Sequence, residues 1–136
     1  MAINTYLMFN GNCEEAFKFY EKVLGGKIQD MLPHAGTPAE SFVPPEWHNK
    51  IMHASMKIGD DVLMASDAPP QFQLPMQGFS VSLHVKDTKE AERAFKALSE
   101  GGTVKMPLEE TFWAARFGML VDKFGTPWMV NCDKPN

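Results

Sequence analysis

Two histidines, a pair of adjacent glutamates and a scatter of serines are the residues of this chain best equipped for chemistry. His53 lies in the segment Ile51 to Ile58 and His84 in Phe79 to Val85, and both segments alternate polar with apolar side chains. That alternation predicts half-buried strands, with His53, Ser55 and Lys57 on one face and Ser80, Ser82 and His84 on one face of the other. Histidine changes charge near neutral pH, so either ring could move a proton or ligate a metal. Glu109 and Glu110 precede Trp113, and a carboxylate near aromatic groups gains a raised pKa and can serve as a base. Neighbours along a strand point opposite ways, so at most one of the two faces a site. His53 and Glu110 are the catalytic candidates, and His53, His84 and Glu110 could in principle cluster round a metal. The plainer reading, hydrogen-bonded or solvent-facing histidines, is preferred. His34 and His48 fall in a loop and are expected to be exposed. Cys13 opens a helix, where a thiolate is favoured, but it has no partner base in view. No Ser-His-Asp motif, nucleophile elbow or phosphate loop is present.

The remaining candidates would hold a ligand. Phe112, Trp113 and Phe117 could form a wall for a flat molecule, or close a barrel end or dimer seam. Ten methionines suit core filling first and an adaptable pocket second. The expected ligand-facing set begins with Thr5 and Phe9 in the first strand. It continues with His53, Ser55 and Met64 in a central hairpin, and with Ser80, Ser82 and His84. Trp113, Phe117, Met129 and Asn131 complete it. Trp47, beside Pro44-Pro45, reads as a lid or a surface anchor.

Those side chains need a scaffold. Ile3 to Asn10 reads as a strand. Asn12, with Glu15 three positions on, resembles a capping box for a helix striped with Ala16, Phe17, Tyr20 and Val23 and stopped by Gly25-Gly26. Lys27 to Leu32 is a further strand, Pro33 to Pro45 a loop, and Ile51 to Ile58 forms a hairpin with Val62 to Ser66. Ala68 to Gly78 carries three prolines and reads as a linker. The order then restarts. Phe79 to Val85 is a strand, and Asp87 caps a helix striped with Ala91, Ala94, Phe95 and Leu98. Thr103 to Met106, Phe117 to Val121 and Trp128 to Cys132 are strands. Sliding the chain by 75 positions lays Asn12 on Asp87, Glu15 on Glu90 and Ala16 on Ala91. The expectation is an α+β domain spanning residues 1–136, with module one about 1–67, linker 68–78 and module two about 79–133. Each module is βαβββ, and the curved, partly open mixed sheet leaves a groove for a ligand.

Composition narrows the function. The 136 residues carry a formal charge of −4, with 13 scattered Lys and Arg, which argues against nucleic acid. No apolar run approaches the ~20 residues that span a bilayer, and no leader is visible after Met1. Cys13 and Cys132 form no CxxC pair and read as two reduced thiols in the cytoplasm, with one disulfide as the alternative.

Three segments, FNGNCEEAFKFYEKVLGG, IMHASMKIGDDVLMASD and EETFWAARFGMLVDKFGTPWMVN, resemble the PhnB-like branch of the vicinal-oxygen-chelate superfamily. That superfamily includes glyoxalase I, bleomycin-resistance proteins and extradiol dioxygenases. The resemblance implies paired βαβββ modules, usually in a homodimer. Branch members often carry a 3-demethylubiquinone 3-methyltransferase-like label, given little weight here because no glycine-rich nucleotide turn follows a strand. Metal-dependent members place four ligands, mostly His and Glu, on the groove. Carried over by spacing, those positions fall on Thr5, within Val62 to Ser66, on Ser80 or Val81, and on Met129. None is a good ligand for a divalent ion. The expectation is therefore no metal, no other cofactor, and a small-molecule ligand. Whether the chain is an enzyme stays open: a displaced metal or a His/Glu acid-base pair would make it a lyase, isomerase or dioxygenase-like catalyst, or one with the methyltransferase-like activity of the branch label.

Overall fold

The computed structural model describes residues 1–135. Its contacts divide the chain into two compact units, Met1–Leu74 and a second from Pro75 onward.

In the first unit the apolar positions of alternating segments meet one face of a sheet. The elements are β1 (Thr5–Phe9), α1 (Cys13–Leu24), β2 (Lys27–Pro33), β3 (Ile51–Ile58) and β4 (Asp61–Asp67). The strand order is β1-β4-β3-β2, with β1 parallel to β4 and the rest antiparallel. Leu7, Phe9, Ala54, Met56, Leu63 and Ala65 are buried beneath Ala16, Phe17, Tyr20 and Val23 of α1. Phe9 meets Phe17 edge-on at 6.5 Å. Gly25 ends α1 at φ 69, a left-handed position where glycine carries no Cβ penalty.

The second unit repeats the plan with β5 (Val81–Val85), α2 (Thr88–Ser99), β6 (Thr103–Glu109), β7 (Ala114–Val121) and β8 (Pro127–Asp133), in the order β5-β8-β7-β6. Its core is Leu120, Trp128, Val130 and Cys132 under Ala91, Ala94, Phe95 and Leu98. Gly118 lets α2 approach closely, since a Cβ there would stand 2.7 Å from the Phe95 ring. Pro107 lies in β6, an edge strand, where its missing N–H costs no ladder bond.

Several boundaries move from the expected ones. β7 starts at Ala114, three residues early, and β5 starts at Val81, leaving Phe79 and Ser80 outside. Ala68, placed in the linker by its prolines, is buried and continues β4 by donating its N–H to the Phe9 carbonyl at 2.7 Å. His34 is 4% exposed rather than a loop-surface residue, and its ring Nδ1 bonds the Lys50 carbonyl at 2.9 Å.

The internal repeat is also corrected. The helices stand 75 positions apart, Cys13 to Thr88, but the strands before them stand 76 apart, Phe9 to Val85. The first module holds one extra residue between strand and helix, around Gly11 at φ 114. A one-residue slip exchanges the faces of a strand, so Tyr6, not Thr5, holds in β1 the position that Ser82 holds in β5.

Candidate functional site

Each sheet has a helix on one face and none on the other, and the polar candidates gather on those open faces. Cross-strand partners share a face, so the register assigns them. In the first module Tyr6, Met64, Ser55 and Asp30 form one row, and His53 pairs with Leu32. The Tyr6 hydroxyl lies 3.1 Å from His53 Nδ1, with the two rings stacked at 5.8 Å. Ser55 is buried and donates its hydroxyl to Asp30 Oδ2 at 2.9 Å. Ser66 donates to the Met8 sulfur at 3.6 Å. Thr5 and Phe9, expected beside these groups, stand on the opposite parity. Thr5 pairs with Leu63 of the helix-covered face, and Phe9 is buried against α1.

The open face of the second module is more apolar. Ser82 pairs with Met129, which pairs with Met119, which pairs with Met106. The next row is His84, Asn131, Phe117 and Glu109. Trp113 packs against Phe117 at 5.5 Å and Phe112 against Trp113 at 4.8 Å. Thr111 fixes this turn by accepting the Trp113 and Ala114 amides on Oγ1. Ser80 lies one residue before β5. Of the two glutamates, Glu109 is the one in register with Phe117. Glu110 sits 3.7 Å from Lys134.

A hydrogen-bonded chain crosses this face. Asn131 Nδ2 donates to Asp133 Oδ1 at 2.8 Å and lies 3.5 Å from His84 Nδ1, while His84 Nε2 lies 3.0 Å from Ser82 Oγ. An ionised carboxylate only accepts, so Asp133 fixes the amide orientation. In the tautomer in which His84 Nδ1 accepts from Asn131, the ring proton sits on Nε2 and points at Ser82. Such a histidine cannot take the serine's proton, so Ser82, His84 and Asn131 hold a donor-acceptor pattern rather than an activated nucleophile. Ser82 keeps its hydroxyl proton to offer outward, and among the described residues none donates to Asn131 Oδ1.

A separate open cleft of about 220 Å³ lies at the start of α1, lined by Gly11, Glu14, Glu15, Lys50 and Asp67 among others. Its strongest groups are already engaged. Asp67 is 2% exposed and accepts three backbone amides: Gly11 at 2.9 Å, Cys13 at 3.0 Å and Ile51 at 2.8 Å. Lys50 Nζ donates to the Gly11 carbonyl at 2.9 Å. The Trp47 ring edge lies beside Gly11 and the Lys50 side chain. Asn12 makes no side-chain cap bond, so Asp67 does the work expected of it.

Cys13 is fully buried, and burial foremost, then Asp67, pushes its thiol well above the usual range. The helix start therefore does not make a thiolate here. Cys132 is also free and buried. Among the described residues no three His, Cys, Asp or Glu side chains come together closely enough to hold a metal ion, and no helix is long and apolar enough to cross a membrane.

Two βαβββ modules, each with one helix-covered sheet, define the glyoxalase fold. The chain belongs to the Glyoxalase/Bleomycin resistance protein/Dioxygenase superfamily, whose model matches residues 2–130. It is 50% identical to protein PA1353 from Pseudomonas aeruginosa, whose crystal structure superposes with a TM-score of 0.91 over 99% of both chains. Protein YjdN of Escherichia coli is 33% identical over 142 residues, 98% of this chain and 97% of that one. The PhnB protein from Bacillus cereus, described as a candidate 3-demethylubiquinone-9 3-methyltransferase, shares the fold at a TM-score of 0.79. It is 24% identical and covers 97% of this chain and 99% of that one. The PhnB-like resemblance of the three motif segments thus extends to the whole fold.

Proposed function

We propose that the chain binds a small, flat, largely apolar or aromatic molecule on the open face of its second module, without the divalent metal of its superfamily, and works as a cytoplasmic homodimer. The observation that carries this reading is the Trp113–Phe117 wall beside Met119 and Met129. Aromatic rings in such a wall stack on a planar ligand, and methionine adapts to its outline. Ser82 and Asn131 supply one donor and one acceptor to orient it. The inherited metal positions support the metal-free part, since Thr5 stands on the helix-covered face and Ser80 and Met129 are poor ligands for a hard ion.

The test is a fluorescence titration with a neutral bicyclic aromatic, 1,4-naphthoquinone first. Saturable one-to-one quenching, unchanged by chelator and weakened at least tenfold by Phe117→Ala, is expected. Linear, unsaturable quenching in both proteins would overturn the reading.

One observation favours a second reading, acid-base catalysis on the first module. The Tyr6 hydroxyl holds one ring nitrogen of His53, and if Nδ1 carries the proton, the outward Nε2 can act as a base. His53→Ala must then abolish any turnover found, and turnover that survives it removes this assignment.

A further inference from the structure

The row of thioethers on the second module's open face is used by neither the hydrogen-bonded chain nor the core. Met106, Met119 and Met129 are consecutive cross-strand partners on β6, β7 and β8. Such partners project from one face with Cβ atoms about 4.5–5.5 Å apart. A methionine side chain has three rotatable bonds, enough to bring the outer two sulfurs over the middle one. The core of this sheet lies on its other face, at Leu120, Trp128 and Val130, while Met106 is 44% exposed and Met119 and Met129 are half-buried.

Thioether sulfur is a neutral, soft donor. It binds Mg²⁺, Ca²⁺ or Mn²⁺ poorly and selects polarisable ions such as Cu(I). The fourth member of the row, Ser82, brings no competing charge. In the adjoining row Glu109 adds a carboxylate, which favours a cation nearby.

We propose that Met106, Met119 and Met129 form a three-thioether site for one soft monovalent cation, Cu(I) or its redox-inert counterpart Ag(I). The site is distinct in chemistry from the divalent centre of the superfamily. It does not depend on the organic ligand proposed above.

The experiment labels the methionine methyl groups with ¹³C and titrates the whole protein anaerobically with Ag(I), then with Cu(I) delivered from its bicinchoninate complex, with no organic ligand present. The Met106, Met119 and Met129 methyl resonances should shift together and saturate at one ion per chain. Met119→Leu, which nearly conserves volume and is tolerated in packed sites, should weaken retention at least tenfold. Met64→Leu, in the other module, should change nothing. Ion binding that leaves these three methyls unmoved, as capture by a cysteine would, overturns the proposal. So does undiminished retention by Met119→Leu.

Discussion

The two modules start their helices by different means. In the second, Asp87 stands directly before α2 and accepts the Lys89 and Glu90 amides at 2.7 and 3.3 Å, a local cap. In the first, the extra residue around Gly11 separates β1 from α1, and the cap comes from Asp67 at the end of β4, 54 residues from the Cys13 amide it holds. The same carboxylate also accepts the Ile51 amide that opens β3. One module thus begins its helix with a sequence-local device, and the other joins three elements through one buried acid. The open faces differ too. The first pairs its polar groups with each other, Tyr6 with His53 and Ser55 with Asp30, whereas the second leaves an aromatic wall and three thioethers beside a single amide network.

Removing the caps should break this contrast most visibly. Asp67→Ala strands three amide donors in a buried site. At about 1–3 kcal/mol for each unsatisfied group, with partial relaxation, it should lose about 3–5 kcal/mol in urea denaturation. Asp87→Ala should lose about 1 kcal/mol. Equal losses would mean the two helix starts are energetically alike. Next in size is Gly118→Ala, whose Cβ would press on Phe95 and the Leu108 backbone; a loss of about 1–3 kcal/mol is expected from overpacking. A reactivity test follows. Burial keeps Cys13 protonated, so neither it nor the buried Cys132 should react with a disulfide reagent at pH 8 until the chain unfolds. Rapid labelling of the native protein would show that a module opens readily.

The smallest effect concerns Glu90, held below the ordinary carboxyl range chiefly by the hydrogen bond from Arg93. Such a group stabilises the fold above its unfolded-state titration, and that stabilisation disappears as pH falls through its lower folded value. The pair is exposed, so Arg93→Ala should cost only about 0.3–0.5 kcal/mol at neutral pH and nothing in strong acid.

Much of the scaffold was legible because its signals are local. Alternation marked β3 and β5, the stripes of Ala, Phe and Leu marked both helices, and Gly25 marked a stop. The failures come from long-range effects. Asn12 has the right type and place for a cap, but no local pattern reveals that a strand-end carboxylate takes its role. The 75-residue slide matched the helices and misassigned β1 by one, which turned Thr5 and Phe9 to the wrong face. Ala114 and Ala115 lack alternation, so the start of β7 went unseen. His34 is buried by its bond to Lys50, a pairing 16 residues apart that composition does not encode. In the candidate site, the Ser82, His84 and Asn131 face was readable from parity. The row linking Met106, Met119 and Met129 needed the cross-strand register, which no single segment contains.

The most direct measurement is a native mass spectrum of freshly purified protein, taken for the wild type, Trp113→Ala and Tyr6→Ala. The account predicts a dimer that retains an organic mass in the wild type and in Tyr6→Ala, insensitive to chelator, and loses it in Trp113→Ala. A retained mass equal to a divalent cation and removed by chelator would contradict it, as would an organic ligand lost from Tyr6→Ala but kept by Trp113→Ala.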